Sequence, residues 1–237
     1  MEVKLRIPFT NISVGRFGFL LIAILLLFVL RPFLVGYVSI EILMDIFMFT
    51  IIISVIYAVS EQKRILIIAL AIAIPMLALS WSDYFIDTAA SHLAADVISA
   101  VFAAYATIII LSYVFAEKKI TAEVIFAAIS GFFLIGLMWA FVFSALEFIL
   151  PGSFHLPVME GNRLAQAVYY SFVTLSTLGY GDITPVSPPA RSFALLEAIT
   201  GQLYIAILIA GLVGKYIAQS LEQESTGKKK EEVNRRD

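Results

Sequence analysis

The chain has 237 residues, of which 61% are hydrophobic and 14% are charged, and its formal net charge is −2. A soluble domain carries about a quarter charged residues, so this composition predicts an integral membrane protein and provides no basic field for nucleic acid. The chain has no cysteine and two histidines, which excludes disulfides, thiol nucleophiles and cysteine metal sites and leaves too few histidines for a metal cluster.

Six segments are long and apolar enough to be membrane-spanning helices, which need about 20 residues each. We predict spans at 17–37, 41–60, 65–81, 93–115, 122–150 and 190–218. Residues 1–16 are mixed and polar, and the apolar run after them is longer than that of a signal peptide, so we expect no cleavable leader. Pro75 lies in the third span, where we expect a kink. The charged segment 219–237 is expected to be frayed or disordered.

The lysines and arginines lie mostly on one side of these spans. Of the 16, 13 lie at the two termini, in the loops after the second and fourth spans, or near the end of the sixth span, and Arg31, Arg163 and Arg191 are the exceptions. Positive charge marks the cytoplasmic loops of membrane proteins. We therefore predict a multi-pass protein of the cell membrane with both termini in the cytoplasm.

The segment between the fifth and sixth spans, 151–189, departs from this pattern. Its apolar part, 164–175, has 12 residues, which is too short to cross a bilayer. Both ends of the segment belong to the outer side, so the chain should enter the membrane and return. Non-helical backbone at membrane depth is tolerated only where it is buried in protein or lines a water-filled path. A short helix followed by Gly179-Tyr180-Gly181 therefore indicates a re-entrant pore loop.

The residues from Thr177 to Gly181 suit the coordination of a dehydrated cation by backbone carbonyls. Carbonyls that all point at one axis require residues in alternating or left-handed conformations, which glycine adopts without steric cost. Gly179 and Gly181 alternate with Leu178 and Tyr180, and Thr177 adds a hydroxyl at the inner end. The C-terminal end of the preceding short helix is partly negative and also favours a cation.

The stretch from Tyr169 to Asp182, which reads Tyr-Tyr-Ser-Phe-Val-Thr-Leu-Ser-Thr-Leu-Gly-Tyr-Gly-Asp, resembles the pore helix and selectivity filter of potassium channels. The resemblance implies four identical chains around one axis, in a membrane, with K+ as the permeant ion and no other cofactor. The usual filter has valine where this chain has Leu178, which supplies the same carbonyl but packs differently. The implied ion-binding residues are Thr177, Leu178, Gly179, Tyr180 and Gly181, with K+ at the carbonyls of the first four.

The resemblance also implies an all-α membrane protein with a tetrameric pore and two transmembrane domains in each chain. The parts are the N-terminal segment (1–16), a four-helix sensor-like domain (17–119), a pore domain (120–218) with pore helix 164–175, filter 177–181 and inner helix 190–218, and the tail (219–237). In voltage-gated relatives the fourth span carries a row of arginines, but here no Lys or Arg lies between Arg64 and Lys118. Each gating charge supplies about 2.3 kcal/mol per 100 mV, so we predict no strong voltage gating.

Five residues around the filter have supporting roles implied by the family pattern. The family aspartate at the position of Asp182 bonds to pore-helix aromatics. Tyr170 holds the place of a tryptophan that makes such a bond, and Tyr169 and Tyr170 are expected to form a cuff behind the filter. Val173 stands where some relatives carry a glutamate paired to the aspartate, and valine cannot form that pair. Glu147 resembles a glutamate that pins the loop after the filter, with an interfacial carboxylate as the alternative.

The sixth span contains two further candidates. Gly201 aligns with the inner-helix glycine that acts as a gating hinge in many potassium channels, and close helix packing is an equal alternative. Glu197 lies inside the span, where an ionisable residue is costly and indicates a function, and we expect it to brace the pore helix from behind.

The first four spans carry acidic residues toward their outer half. Solvated helix ends are the favoured interpretation of each, and the alternatives are that they attract cations or pair with Arg31. These residues are Glu41, Asp45, Asp83, Asp87 and Asp96. His92, close to Asp87 and Asp96, is a candidate proton sensor.

A potassium-selective channel that conducts passively is the function that the sequence favours. An enzyme is not favoured, because no catalytic triad, metal cluster or nucleotide-binding loop is present. Two alternatives stay open: a non-selective cation channel, and a non-conducting scaffold or regulatory subunit that keeps the pore fold. The gating stimulus is not specified by the sequence. The short tail and simple layout favour a prokaryotic source.

Overall fold

A computed structural model describes residues 3–4, 13–34, 49–57, 63–82, 89–155 and 163–234. These residues are mostly helical, as the sequence predicts. The helices are α1 (Arg16–Leu34), α2 (49–57), α3 (Lys63–Ser82), α4 (Ala89–Ala116), α5 (Ala122–Ile149), α6 (Arg163–Leu175) and α7 (Pro188–Asn234). Two short antiparallel pairs accompany them, β1 (Val3–Lys4) with β2 (Ser13–Val14), and β3 (Phe154–His155) with β4 (Thr184–Pro185).

Three of these helices are long and apolar enough to cross a membrane, at Ala90–Ala116, Ala122–Ile149 and Pro188–Gln219. The apolar part of α1, Arg16–Leu30, is shorter. Helix α3 coincides with the predicted third span and continues through Pro75. The described part of α2 lies inside the predicted second span, and the rest of that span is outside the described residues. The helical membrane architecture is therefore confirmed in its coarse form, and the count of six spans stays a prediction.

Helix α5 is the centre of the packed core. Its small residues Ala127, Ala128 and Ala140 are at most 1% exposed, which lets neighbouring helices approach closely. It packs against α1 and α4 on one side and against α6 and α7 on the other. Helix α5 thus contacts both the N-terminal helices and the segment that follows it.

The loop that follows α5 and the loop that follows the filter are joined to each other at the start of α7. The Ser153 carbonyl accepts hydrogen bonds from the Val186 and Ser187 amides, at 2.8 and 3.2 Å. The Ser187 hydroxyl lies 3.0 Å from the Ser153 hydroxyl and accepts from the Ala190 amide at 3.3 Å. Ser187 therefore satisfies a free amide in the first turn of α7 and fixes where that helix begins.

Helix α7 continues well past the predicted end of the sixth span. It runs to Asn234, so the expectation that the segment after residue 218 is frayed or disordered is wrong for residues 219–234. This segment is rich in Glu, Gln and Lys and contains no proline, and these residues have high helix propensity. The charge that indicated a disordered tail is equally compatible with a continued helix.

Candidate functional site

Helix α6 is a short helix packed between α5 and α7. Its 13 residues give a length of about 20 Å, which is too short to cross a bilayer. Its bounds agree with the predicted pore helix to within one residue. Tyr170, Ser171 and Leu175 are buried, at 6%, 0% and 0% exposure. Helix α6 is therefore held in place by its buried face.

In the backbone after α6, every second residue from Thr177 to Gly181 has a positive φ angle. Thr177, Gly179 and Gly181 have positive φ angles of 60°, 56° and 79°, and within the described residues Thr177 is the only non-glycine with a positive φ. Leu178 and Tyr180, which lie between them, have negative φ. Alternation of this kind turns successive amides to one side, as in anion-binding nests, and the carbonyls to the other. The alternation expected from the two glycines is confirmed, and it extends to Thr177.

Thr177 holds a conformation that is rare for a β-branched residue. Its amide donates to the Thr174 carbonyl at 2.9 Å, and the Gln202 side-chain amide donates to its hydroxyl at 3.4 Å. These contacts come from α6 and from α7, so both helices bordering the filter hold its inner end. The cost of such a conformation is of order 1–3 kcal/mol and persists only where the surroundings fix it.

Val173 supports the filter through its backbone. Its carbonyl accepts hydrogen bonds from the amides of Leu178, at 3.0 Å, and Gly179, at 3.1 Å. The filter therefore folds back onto the last turn of α6 rather than extending away from it. The sequence pattern addressed only the Val173 side chain, and this backbone contact was not predictable from it.

The outer end of the filter is tied to α6 by Asp182. The Tyr169 hydroxyl donates to Asp182 Oδ2 at 2.5 Å, and the Ile183 amide donates to Asp182 Oδ1 at 3.0 Å. The bond from Tyr169 lowers the pKa of Asp182 and, in turn, raises the pKa of Tyr169 to about 12. Both effects favour a charged carboxylate held by a neutral phenol. The assignment of this bond to Tyr170 is therefore wrong by one position.

Tyr170 instead fixes α6 to its neighbours. Its ring meets the rings of Phe143 and Phe154 edge to face, with centroids 5.1 Å from each. A step of one residue on a helix turns the side chain by about 100°, so Tyr169 and Tyr170 point in different directions. Tyr169 faces the filter loop, and Tyr170 faces α5 and β3.

Glu147 binds the loop before the pore helix. Its two carboxylate oxygens accept from the Gly152 amide at 2.8 Å and from the Phe154 amide at 3.1 Å. Phe154 belongs to β3, which pairs with β4 in the loop after the filter. Glu147 therefore reaches the loop after the filter through this strand pair and not by direct contact.

Gly201 lies against the C-terminal end of α6. A Cβ atom at this position would be 2.2 Å from the Leu175 carbonyl oxygen and 3.0 Å from a Leu175 methyl carbon. A backbone atom cannot move aside as a flexible side chain can, so this position requires glycine. This contact is what the packing interpretation expects, and the hinge role stays a prediction.

Glu197 is fully buried behind α6, with 0% exposure. Its Oε1 lies 2.5 Å from the Ser171 hydroxyl, which also lies 2.7 Å from the Gly136 carbonyl of α5. The sequence predicted that Glu197 braces the pore helix, and Ser171 is the partner that the sequence did not identify.

Known ion channels are similar in sequence to this part of the chain. Residues 132–218 match a family model described as an ion channel. The chain is 41% identical over 64 residues to Two pore potassium channel c of Oryza sativa, covering 27% of this chain and 14% of that protein. It is 41% identical over 56 residues to Voltage-gated potassium channel Kch of Escherichia coli, covering 24% and 13%. Probable potassium channel protein 2 of Methanocaldococcus jannaschii is 27% identical over 86 residues, covering 36% and 25%.

Residues 132–218 thus match an ion channel family model, and the relatives similar to this part of the chain are named as potassium channels. The matched region begins within α5 and contains α6, the filter and the apolar part of α7. The resemblance deduced from the filter is therefore confirmed for this part of the chain, and the matches indicate a membrane transport domain rather than an enzymatic one. The chain spans a quarter or less of the length of these curated relatives, and no solved structure matches it significantly.

An ion pair that sequence reasoning missed joins α4 to the start of this channel domain's pore helix. Arg163 Nη2 lies 3.1 Å from Asp96 Oδ2, and the side chains are 33% and 10% exposed. Ser144 of α5 donates to Asp96 at 2.8 Å and accepts from Arg163 at 3.0 Å. Asp96 is therefore a buried partner and not a solvated helix end, which corrects the favoured interpretation of this residue. An acidic residue within an apolar span was the available signal.

The remaining predictions for the first four spans lie mostly outside the described residues. These are the roles of Glu41, Asp45, Asp83 and Asp87. His92 lies one turn before Asp96 on α4, and its role as a proton sensor stays a prediction.

The part of α7 that contains Lys215 is connected to the end of α4. The Lys215 ammonium donates to three carbonyls there, those of Val114, Phe115 and Glu117, at 2.9, 3.0 and 2.6 Å. These carbonyls lie at the C-terminal end of a helix, which leaves acceptors free and favours a cation. From the sequence, Lys215 was predicted only to be one of the basic residues on the cytoplasmic side.

Proposed function

We propose that four copies of this chain assemble around one axis and conduct K+ passively through a pore formed by their filters. The carbonyls of Thr177, Leu178, Gly179 and Tyr180 replace the hydration shell of the ion, and no other cofactor takes part. The observation that carries the proposal is the alternation of φ from Thr177 to Gly181. Such a backbone presents a row of carbonyls to one side, and a hard cation is the ligand that oxygen atoms at membrane depth suit.

The exposed apolar surface of the channel domain supports assembly. In the single chain, Leu178 and Tyr180 are 56% and 66% exposed, although they lie at membrane depth. Only 17% of the apolar window of α7 is buried, compared with 61% for α5. A tetramer places the filters together and covers much of α7, since one filter per chain requires four chains to enclose an ion.

The first four helices are proposed to form a peripheral domain without strong voltage gating. The segment between Arg64 and Lys118 has no Lys or Arg, so α4 carries no gating charge. We further propose a location in the cell membrane of a prokaryote, with six spans in each chain, both termini cytoplasmic and lipid as the surrounding partner. The distribution of lysine and arginine supports this orientation.

The proposal is tested by reconstituting the purified protein in planar bilayers with potassium on one side and sodium on the other. We expect single-channel currents that reverse near the potassium equilibrium potential. Reversal between the two equilibrium potentials would indicate a non-selective cation channel. Silence of a verified tetramer in repeated preparations would indicate a scaffold or regulatory subunit.

A matched pair of variants tests the assignment of the filter. Gly179 has a φ of +56°, and a left-handed conformation costs an L-residue roughly 1–2 kcal/mol, so Gly179→Ala should abolish selective conduction. Gly214 of α7 has open space around it, so Gly214→Ala should conduct like the wild type. Normal selectivity of Gly179→Ala would mean that the filter lies elsewhere.

A further inference from the structure

Three backbone or side-chain oxygens from three helices meet behind the pore helix. The Ser171 hydroxyl of α6 is 2.7 Å from the Gly136 carbonyl of α5 and 2.5 Å from Glu197 Oε1 of α7. Both distances are within the range for a full O–H···O hydrogen bond. Ser171 and Glu197 are each 0% exposed, so solvent does not supply either contact.

The protons in this cluster can be counted. A serine hydroxyl has one proton, and the Gly136 carbonyl can only accept. If Glu197 were a carboxylate it could also only accept, so one of the two short contacts would join oxygens without a proton between them. Both contacts are satisfied if Ser171 donates to Gly136 and Glu197 donates to Ser171. That arrangement requires a second proton, and the carboxyl group is the place for it.

The surroundings of Glu197 support the same arrangement. Its second oxygen, Oε2, is buried without a hydrogen-bond partner, and no Lys, Arg or His in the described part of the chain pairs with it. The titratable group that faces it from a neighbouring helix is Tyr170, which is neutral when protonated. A buried charge without a counter-ion is far more costly than a buried neutral carbonyl oxygen that lacks a partner.

We propose, resting on the proposed channel function, that Glu197 is a positioning residue that holds the pore helix as a neutral carboxylic acid. The Glu197 carboxyl group donates a hydrogen bond to the Ser171 hydroxyl, which in turn donates a hydrogen bond to the Gly136 carbonyl of α5. Two residues after Ser171 on the same helix, the Val173 carbonyl holds the Leu178 and Gly179 amides of the filter. Glu197 thus fixes the position of the filter from behind, without touching the ion.

Infrared spectroscopy of the purified tetramer at neutral pH tests the protonation directly. The carbonyl stretch of a protonated carboxylic acid should appear in the wild type and be missing in Glu197→Gln, in a difference spectrum that removes all other groups. Absence of this band from the difference spectrum would overturn the proposal. The readout does not depend on conduction, so it can succeed even if the protein proves not to be potassium-selective.

Single-channel recording of two variants tests the positioning role. Glu197→Gln keeps a neutral side chain that donates a hydrogen bond to Ser171, so its open probability should stay within about twofold of the wild type. Glu197→Met has a side chain of similar length without a hydrogen-bond donor. Loss of one buried hydrogen bond predicts an open probability roughly tenfold lower than that of the wild type. Equal behaviour of the Gln and Met variants, both shown to be tetrameric, would overturn the role. Wild-type current that is not potassium-selective would instead count against the proposed function alone.

Discussion

At the scale of single residues, the filter is held at both ends by hydrogen bonds from side chains of neighbouring helices. The direction in which each helix presents a side chain decides which residue makes the bond. Tyr169 and Tyr170 are adjacent and of the same type, and the family pattern assigned the bond with Asp182 to Tyr170. The structure separates them, because Tyr169 donates to Asp182 whereas Tyr170 packs against Phe143. Likewise the glycine positions predicted an alternating backbone, but nothing in the sequence showed that Thr177 joins the alternation.

The bond from Tyr169 to Asp182 predicts how the channel responds to acid on its outer side. The lowered pKa of Asp182 means that the bond is intact above the ordinary aspartate pKa of about 3.9 and is lost as pH falls through the lowered value. In Tyr169→Phe that pKa returns upward, so the decline in current should begin at a higher pH than in the wild type. Current recorded during a stepwise acidification of the outer solution measures the midpoint.

Tyr170→Phe is the matched control for this experiment. Its hydroxyl does not contact Asp182, so its acid midpoint should equal that of the wild type. A shift in Tyr170→Phe with none in Tyr169→Phe would restore the assignment made from the family pattern and contradict the geometry described above.

At the scale of elements, α6 and the upper half of α7 form one packed unit. Two contacts join them, the Glu197 contact with Ser171 and the Gly201 contact with the Leu175 backbone. The helix bounds of this region were predictable to within a few residues, since hydropathy and length determine them. The contacts between helices were not, because hydropathy does not specify how each helix is rotated about its axis. The extension of α7 was missed for a different reason, since charge alone does not distinguish a solvated helix from a disordered tail.

Gly201→Ala should destabilise the protein by about 1–3 kcal/mol, because its methyl group would overlap a backbone oxygen that cannot move freely. Gly214→Ala should be neutral or slightly stabilising, since alanine favours a helix over glycine by about 1 kcal/mol and nothing lies within 4 Å of the added carbon. The midpoint of thermal unfolding in one detergent compares the two. An unchanged midpoint for Gly201→Ala would mean that this contact opens readily, as the hinge interpretation requires.

At the scale of the whole molecule, two polar contacts that lie far apart join α4 to the channel domain, in addition to the packing of α1 and α4 against α5. At one end of these helices the Asp96 and Arg163 pair joins α4 to the beginning of α6. At the other end Lys215 joins α7 to the end of α4. Composition and loop charge predicted the membrane class and its orientation, and the resemblance to potassium channels implied the two-domain layout. Neither contact was predictable from them, because each joins residues that are more than 60 positions apart in the sequence.

The absence of Lys and Arg from α4 predicts a nearly flat dependence of open probability on voltage. Even one gating charge per tetramer would supply about 4.6 kcal/mol over about 200 mV. We therefore expect open probability to change by less than about tenfold across that range in bilayer recordings. Steep activation by depolarisation would show that charges outside α4 sense the field.

The attachment of Lys215 has a consequence for how such a channel can be controlled. Because its ammonium holds the last carbonyls of α4, any displacement of α4 along or across the membrane is transmitted to the lower part of α7. This transmission works equally well whatever force moves α4. On the proposed function, we therefore expect that a pull on α4 from lipid, from membrane tension or from another protein would reach the pore by this linkage, although α4 has no Lys or Arg to sense voltage.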